Sequence, residues 1–428
     1  MEFQAVKYSV LILLLCLSPT NTAVAQSTLT RQQYEADFDY LWQNISEDYA
    51  YFDKKATDWK RVREIYRPRI RSVNTNGDFI QFIEAVLEEL YDFHTHLNTN
   101  TASSPRLVPS GADLWAEWRG SVAVITEVRP GSRAEEAGLR AGMQVLSLNG
   151  VTVDEATSRR LGRSLTRVDQ AARNWALRAL LAGRHNESRR IEVLADHTRR
   201  RVLLEDQLSN RQPNSDSLLE FRRLAGAIGY IRIHNSLGNT ELIKEFDEAL
   251  AALRTTRGLI LDLRDTPSGG NTTVARGIMG RFISREMPYQ KHSIPAEERL
   301  YGTTRSWLEL VSPRGQFTYT ARVVVLVSHW TGSMGEGIAV GMNGIKRATI
   351  VGTRMAGLVG ATSQITLPHT RIGVNFPTEK LFHVNGTPRE DFIPGVYIDL
   401  LKRRSALAKD LVFDTGLTIL GRRANHDR

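Results

Sequence analysis

Two residues far apart in this 428-residue chain, Ser333 and His94, could form a nucleophile and its base. Ser333 lies in VVVLVSHWTGSMGEGIAVGM, residues 323–342. An unbroken apolar run at 323–327 leads into the turn Thr331-Gly332-Ser333-Met334-Gly335, after which Ile338, Val340 and Met342 sit in a helix-compatible segment. A buried strand that breaks into a helix exposes a hydroxyl at the break, where free N–H groups and the helix dipole favour developing negative charge. An ordinary N-capping serine fits the same stretch, so this segment alone leaves both readings open. His94 lies in Leu90-Tyr91-Asp92-Phe93-His94-Thr95-His96-Leu97. Histidine suits a general base because its ordinary pKa lies near neutrality, although a pair of polar surface histidines would look the same. As metal ligands, His94 and His96 would point to different faces of a helix, and the segment lacks a third clustered ligand, so no metal is expected.

The elements that must position these residues can be read in order. Residues 28–97 are mostly helical in pattern: Tyr34, Phe38, Leu41, Trp42 and Ile45 recur at three- and four-residue spacings, 59–66 suits a second helix stopped by Pro68, and 79–91 a third. From 106 to 204 the pattern changes to short strands and glycine turns, with strands at 121–128 and 144–148, a short helix at 133–137 and the hairpin signal Asn149-Gly150. Residues 205–218 read as a linker. Beyond it, apolar strands at 227–233, 258–263 and 323–327 alternate with helical segments at 240–253 and 274–282. That alternation predicts a largely parallel sheet with functional loops at the C-terminal ends of its strands. One such loop is Arg264-Asp265-Thr266-Pro267-Ser268-Gly269-Gly270. Short strands at 348–351, 363–367 and 373–376 and a partly helical tail at 400–420 complete the reading.

Composition narrows the class. The chain is 41% hydrophobic and 24% charged, and its net charge of +9 arises from 56 basic residues interspersed among 47 acidic ones. The basic runs Arg199-Arg200-Arg201 and Lys402-Arg403-Arg404 are not interleaved with aromatics, so no nucleic-acid groove is expected. Lys7, the apolar run 10–17 and Ala23-Val24-Ala25 read as a secretory signal cleaved before Gln26, leaving no stable membrane span. Cys16, the single cysteine, falls inside that signal, so the mature chain has no disulfide, thiolate metal site or cysteine nucleophile. The expected location is therefore outside the cytoplasm, periplasmic or secreted.

Two resemblances follow from the motifs. Val128-x-Pro130-Gly131-Ser132-x-Ala134-x-x-Ala137-Gly138-Leu139-x-x-Gly142-Met143-x-Val145-Leu146-x-Leu148-Asn149-Gly150 resembles the PDZ domain, which implies a groove that binds an extended peptide by strand addition. Met143 stands where that family has Asp, and 114–120 shows no Gly-Leu-Gly-Phe-like loop. Over most of its length the chain resembles the tail-specific (C-terminal processing) serine peptidases, in their tricorn-like branch. Four motifs carry this, in the family's order: 92–97, 262–270, 331–336 and 389–394.

The resemblance implies a multi-domain α/β protein: signal 1–25, helical region 26–103, PDZ-like β-rich insert 104–204, linker 205–218, and an α/β peptidase core of the ClpP/crotonase-like type at 219–428. It implies Ser333 as nucleophile, His94 as base, Glu390 as the group orienting that base, and an oxyanion hole from Met334 with Gly269 or Gly270. It implies no cofactor, and an extended or unfolded polypeptide as substrate; nothing in the sequence selects an oligomeric state. Asp262 and Arg264 are expected to brace their loop, and Glu336 to be a structural partner or a charge complementing the helix dipole. The Ser–Lys branch carries its Lys in a stretch corresponding to 352–360, which here has none, and Arg354 stays protonated at any working pH. Further departures are Phe93 for a small residue, Thr266 for Asn, Ser268 for Gly and Gly395 for Asp. Some relatives bind apolar ligands without hydrolysis, so a non-catalytic binding protein is the alternative expectation.

Overall fold

The computed structural model describes residues 29–205, 217–402 and 410–421; the signal-like segment, most of the linker and Arg403-Arg404 lie outside the described residues. The first helix, Arg31–Asp48, starts at a capping box in which Thr30 and Gln33 satisfy each other's free backbone donors. Asp58 caps Trp59–Tyr66 through the N–H groups of Lys60 and Arg61, and a second capping box, Thr75 with Asp78, opens Asn76–Leu87. Their apolar faces, including Phe38, Ile45, Val62, Phe79 and Ile83, pack together with Leu367, Val374 and Phe376 from far down the chain. The helices therefore share a core with a sheet instead of forming a separate bundle. The third helix stops short of the expected 79–91: a 3₁₀ turn Glu88–Leu90 follows, and Tyr91 takes a left-handed φ of 37°. Buried Glu89 accepts from Tyr66 Oη and Ser164 Oγ, which fixes that turn and leaves 91–95 as a loop.

The β-rich block follows. A sheet runs in the order Leu114–Arg119, Val122–Val128, Gln144–Leu148, Arg189–Ala195, Thr198–Leu204, around a core of Ala116, Ile125, Val145, Leu177 and Ile191. The turn at Asn149-Gly150 forms with positive φ at both residues. The helix Gln170–Ala182, not foreseen, is capped by Asp169 and buries Ala172, Trp175, Ala176 and Leu181 at helical spacing. It closes the outer edge of the strand Leu114–Arg119. Asn174 Oδ1 accepts from Trp118 N–H (2.8 Å), Gln170 Nε2 donates to Trp118 O (2.9 Å), and Arg178 Nε donates to Ala116 O (3.1 Å). Three backbone groups on that edge, Trp118 N–H, Trp118 O and Ala116 O, are thus already bonded.

The core holds a six-stranded sheet in the order Val396–Tyr397, Ala348–Gly352, Arg322–Val327, Gly258–Asp262, Ile228–Ile233, Leu219–Leu224. All its pairs are parallel except the last, as the alternation of apolar strands with helices requires. Val324, Val325, Leu326 and Val327 are fully buried, each stabilising the fold by roughly 1.5–3 kcal/mol. Because Gly258–Asp262 and Arg322–Val327 are neighbours, the loops that leave their C-terminal ends meet. A second sheet contains Met287–Ser293, Ser306–Val311, Ala361–Thr366 and Gly373–Phe382, and the short strand His96–Leu97 joins it, with His96 opposite Asn375. That pairing ties the loop bearing His94 to the core.

Candidate active site

Ser333 stands between the strand Arg322–Val327 and the helix Met334–Gly344, with φ 48° and ψ −109°. A non-glycine residue rarely adopts such a backbone, and here several bonds enforce it. Gly332 N–H donates to Thr266 O (3.2 Å), Gly335 N–H to Gly332 O (2.8 Å), and Ser333 N–H to Glu336 Oε2 (2.9 Å). Thr266, the departure from Asn, is buried, bridges to Thr331 and donates through Oγ1 to Leu263 O (2.8 Å).

His94 lies 239 residues away in sequence, yet its Nε2 is 3.1 Å from Ser333 Oγ. Asp92 shapes its loop, accepting from His94 N–H (2.8 Å), Tyr49 Oη (2.9 Å) and Thr95 Oγ1 (2.9 Å). Phe93 turns away to stack on Trp175 of the β-rich block, at 5.8 Å between ring centres. His94 Nδ1 is 2.8 Å from Val359 O. A carbonyl can only accept, so Nδ1 carries the proton and the Nε2 lone pair faces the serine hydroxyl. Burial, and then Arg389, pushes the imidazole pKa down to about 4, against opposing pulls from the Val359 bond and Asp92. At neutral pH the histidine is an uncharged acceptor, able to take a proton from Ser333 Oγ.

Glu390 is not bonded to His94. Its Oε1 pairs with Lys54 Nζ at 2.7 Å, and the position next to Nδ1 is held by the Val359 carbonyl. The neighbouring Arg389, fully buried, donates to Leu358 O (2.9 Å) and Gly360 O (2.8 Å), so the acidic segment acts on the loop through its arginine. Glu336, also fully buried, accepts from Gly357 N–H (2.9 Å) as well as from Ser333. Its pKa is pushed up to about 7 by burial, against the pull of Arg389 and the backbone donors.

The glycine loop abuts the nucleophile. A Cβ on Gly269 would lie 2.4 Å from Ser333 Cβ and 2.9 Å from Met334 N, and one on Gly270 would lie 2.1 Å from the Leu237 carbonyl. Gly269 N–H is committed to Thr266 O (3.2 Å). Of the two glycines, Gly270 is the one whose N–H makes no such backbone bond, and Met334 N–H lies at the helix start beside the Gly269 turn. Asn235 holds this loop through Ser268, accepting from its N–H (2.9 Å) and donating to its Oγ (2.8 Å). Arg264 Nε donates to Asp262 Oδ1 (2.9 Å) and Nη1 to Asp410 (2.8 Å), which braces the loop's start.

The β-rich block touches the nucleophile turn directly. Trp330 Nε1 donates to Ala112 O (2.8 Å), Arg129 pairs with Asp265 (3.0 Å), and His329 bonds Glu127 while stacking on Trp115. These contacts, and Val359, were not read from the sequence; only the aromatic and histidine at 329–330, beside a glycine turn, offered a signal. A cavity of about 170 Å³ lies between the block and the core, lined by Trp115, Arg178, His329, Glu336, Arg354 and Glu390. A larger one, about 660 Å³, opens at the other end of the sheet beside Arg322, Lys346 and Leu420, away from Ser333.

A serine on a strained strand-to-helix turn, with a neutral histidine on its Oγ and backbone donors beside it, has the layout of a serine-type peptidase. The chain's relatives agree. Peptidase family S41 matches residues 227–398, and the tricorn protease C1 domain matches residues 30–88. A carboxyl-terminal-processing protease of Synechocystis sp. is 26% identical over 74% of this chain and 69% of its own length. One from Picosynechococcus sp. is 24% identical over 84% of this chain and 80% of that protein. In fold, the chain is similar to the photosystem II D1 C-terminal processing protease, with TM-score 0.55, 19% identity and coverage of 91% of this chain and 98% of that one. It is also similar to mature CPAF, with TM-score 0.58, 15% identity and coverage of 86% and 92%. Residues 227–398 thus belong to peptidase family S41, and the chain is a serine-type peptidase similar to the carboxyl-terminal-processing proteases. No helix among the described residues is long and apolar enough to cross a membrane.

Proposed function

We propose that this peptidase is exported and cleaves extended or unfolded polypeptides within the chain, with Ser333 as nucleophile and His94 as its base. The observation that carries this reading is the 3.1 Å approach of His94 Nε2 to Ser333 Oγ, with Nδ1 donating to a carbonyl. Ser333 Oγ attacks the scissile carbonyl carbon as its proton passes to Nε2. The tetrahedral oxyanion is held by Met334 N–H and Gly270 N–H, and His94 returns the proton to the leaving amine. Water then repeats the sequence to free the enzyme. The orienting role expected of Glu390 passes in this scheme to Val359 O. The β-rich block, read as PDZ-like, guides a substrate end, which must displace Gln170, Asn174 and Arg178 to pair with the strand Leu114–Arg119. Export is supported by the signal-like residues 7–25 and is checked by locating the mature chain after cell fractionation.

Casein hydrolysis and fluorophosphonate labelling test the chemistry. Wild type is expected to hydrolyse casein and to be labelled at Ser333, and Ser333→Ala to do neither while melting at the same temperature. Equal hydrolysis by the two would refute the reading. An unlabelled wild type that still binds peptide would establish the non-catalytic alternative.

A further inference from the structure

We propose that Glu336 is a positioning residue for this reaction, one carboxylate that holds the nucleophile and its base in register; this rests on the assignment of Ser333 and His94 above. A capping-box glutamate ordinarily reaches back to the N-cap N–H and does no more. Glu336 does that with Oε2, on Ser333 N–H at 2.9 Å. With Oε1 it reaches 21 residues further along the chain to Gly357 N–H, also at 2.9 Å. Gly357 begins the short loop whose Val359 carbonyl receives His94 Nδ1, and His94 Nε2 returns to Ser333 Oγ. The bonds thus close a ring: Ser333 backbone, Glu336, the 357–359 loop, His94, Ser333 side chain.

Arg389 grips the loop from its other side through the carbonyls of Leu358 and Gly360, which flank Val359. It is also the main charge facing Glu336. Glu390, Glu117, Arg354, Arg178 and His329 line the adjoining cavity, and the N–H groups of Ser333, Gly357 and Leu358 supply the remaining donors. No simple cap needs two acceptors in a fully buried position, where an ionised carboxylate is costly. The ring needs them, because only the ionised form offers both oxygens; a protonated carboxyl has one that must donate. Ionisation near pH 7 would then switch the ring from open to closed, so activity rises as Glu336 loses its proton. His94, neutral above about pH 4, sets no limit in that range.

The test compares wild type with Glu336→Gln, which has the same shape but one acceptor, in peptide hydrolysis and fluorophosphonate labelling from pH 4 to 9. Glu336→Gln is expected to lower kcat about 100-fold, the scale of a slight misplacement of reacting groups, with KM changed less than about threefold. The acid limb of wild type is expected near pH 7 and that of the variant to move towards pH 4. A variant that keeps kcat within about threefold, with an unmoved acid limb, would reduce Glu336 to a cap. Should the variant fail to fold, the wild-type labelling profile decides alone: an acid limb near pH 4 overturns the proposal, and one near pH 7 supports it. A wild type inactive at every pH overturns the peptidase assignment itself, whereas an active one indifferent to Glu336 overturns only this inference.

Discussion

Two buried histidines in this protein live in opposite surroundings. His94 meets a neutral carbonyl, a serine hydroxyl and the field of Arg389, and its pKa falls to about 4. His292, on the strand Met287–Ser293, lies between Glu379 on Nδ1 (2.8 Å) and Glu309 on Nε2 (2.9 Å), and stacks on Trp307 with ring centres 4.8 Å apart. Both of its nitrogens face carboxylates, so both must donate. Burial lowers its pKa, but the two carboxylates outweigh that and hold it above the usual value. The first is kept neutral and free to take a proton; the second is biased towards its charged form and joins three strands. Burial alone does not assign a histidine's role, whereas the charge of its partners does.

Substituting either histidine tests these opposite roles. Removing the base with His94→Ala is expected to lower kcat about 10,000-fold at pH 7 while the melting temperature stays near that of wild type. Retention of more than a tenth of the activity would mean that another group takes the Ser333 proton. His292→Ala should do the converse. It leaves two half-buried carboxylates, Glu309 and Glu379, without their shared donor and is expected to cost about 2 kcal/mol in urea unfolding, with kcat of the folded fraction intact. A loss under about 1 kcal/mol would show that the pair is not ionised as read.

The pH dependence of stability sharpens the contrast because the two signs are opposite. For His94 the folded pKa of about 4 lies below the ordinary 6.5, so the unfolded chain binds the proton first. Stability is lost as pH falls from 6.5 towards 4, by roughly 3 kcal/mol in all, and His94→Ala should flatten that slope. For His292 the folded pKa is raised, so its contribution is full below pH 6.5 and is lost as pH rises through the folded value; His292→Ala should remove that alkaline loss. Chemical denaturation from pH 4 to 9 measures both. The smallest effect concerns the residue beside the base. Phe93→Ala loses the stack on Trp175 and is expected to cost about 1 kcal/mol in stability, with kcat changed only a few fold.

Much of the fold was legible because its signals are local. The run Val323–Val327, the turn Asn149-Gly150 and the parallel alternation after 219 follow from hydrophobic pattern and turn chemistry, and they form as read. The hairpin Met287–Ser293 with Ser306–Val311 was not foreseen. Its polar inward residues, Gln290 and His292, hide the alternation of a half-buried strand, since they are buried in a polar cluster with the half-buried Glu309. The helix Gln170–Ala182 carried a readable signal in Asp169 and the spacing of its apolar residues, but it lies within a stretch dominated by strand and glycine-turn signals.

By itself the sequence determined which side chains could do chemistry: a serine at a strand-to-helix break, a histidine in a loop after a helix, and glycines that let a backbone come close. Tertiary structure decided what holds them. The partner of His94 Nδ1 is the Val359 carbonyl, and every residue has a carbonyl, so no residue type could announce it. Likewise Glu336 reads as a cap until the chain returns 21 residues later and places Gly357 N–H on its second oxygen. Side-chain identity is written in the sequence, whereas backbone partners are set by how the chain passes through space.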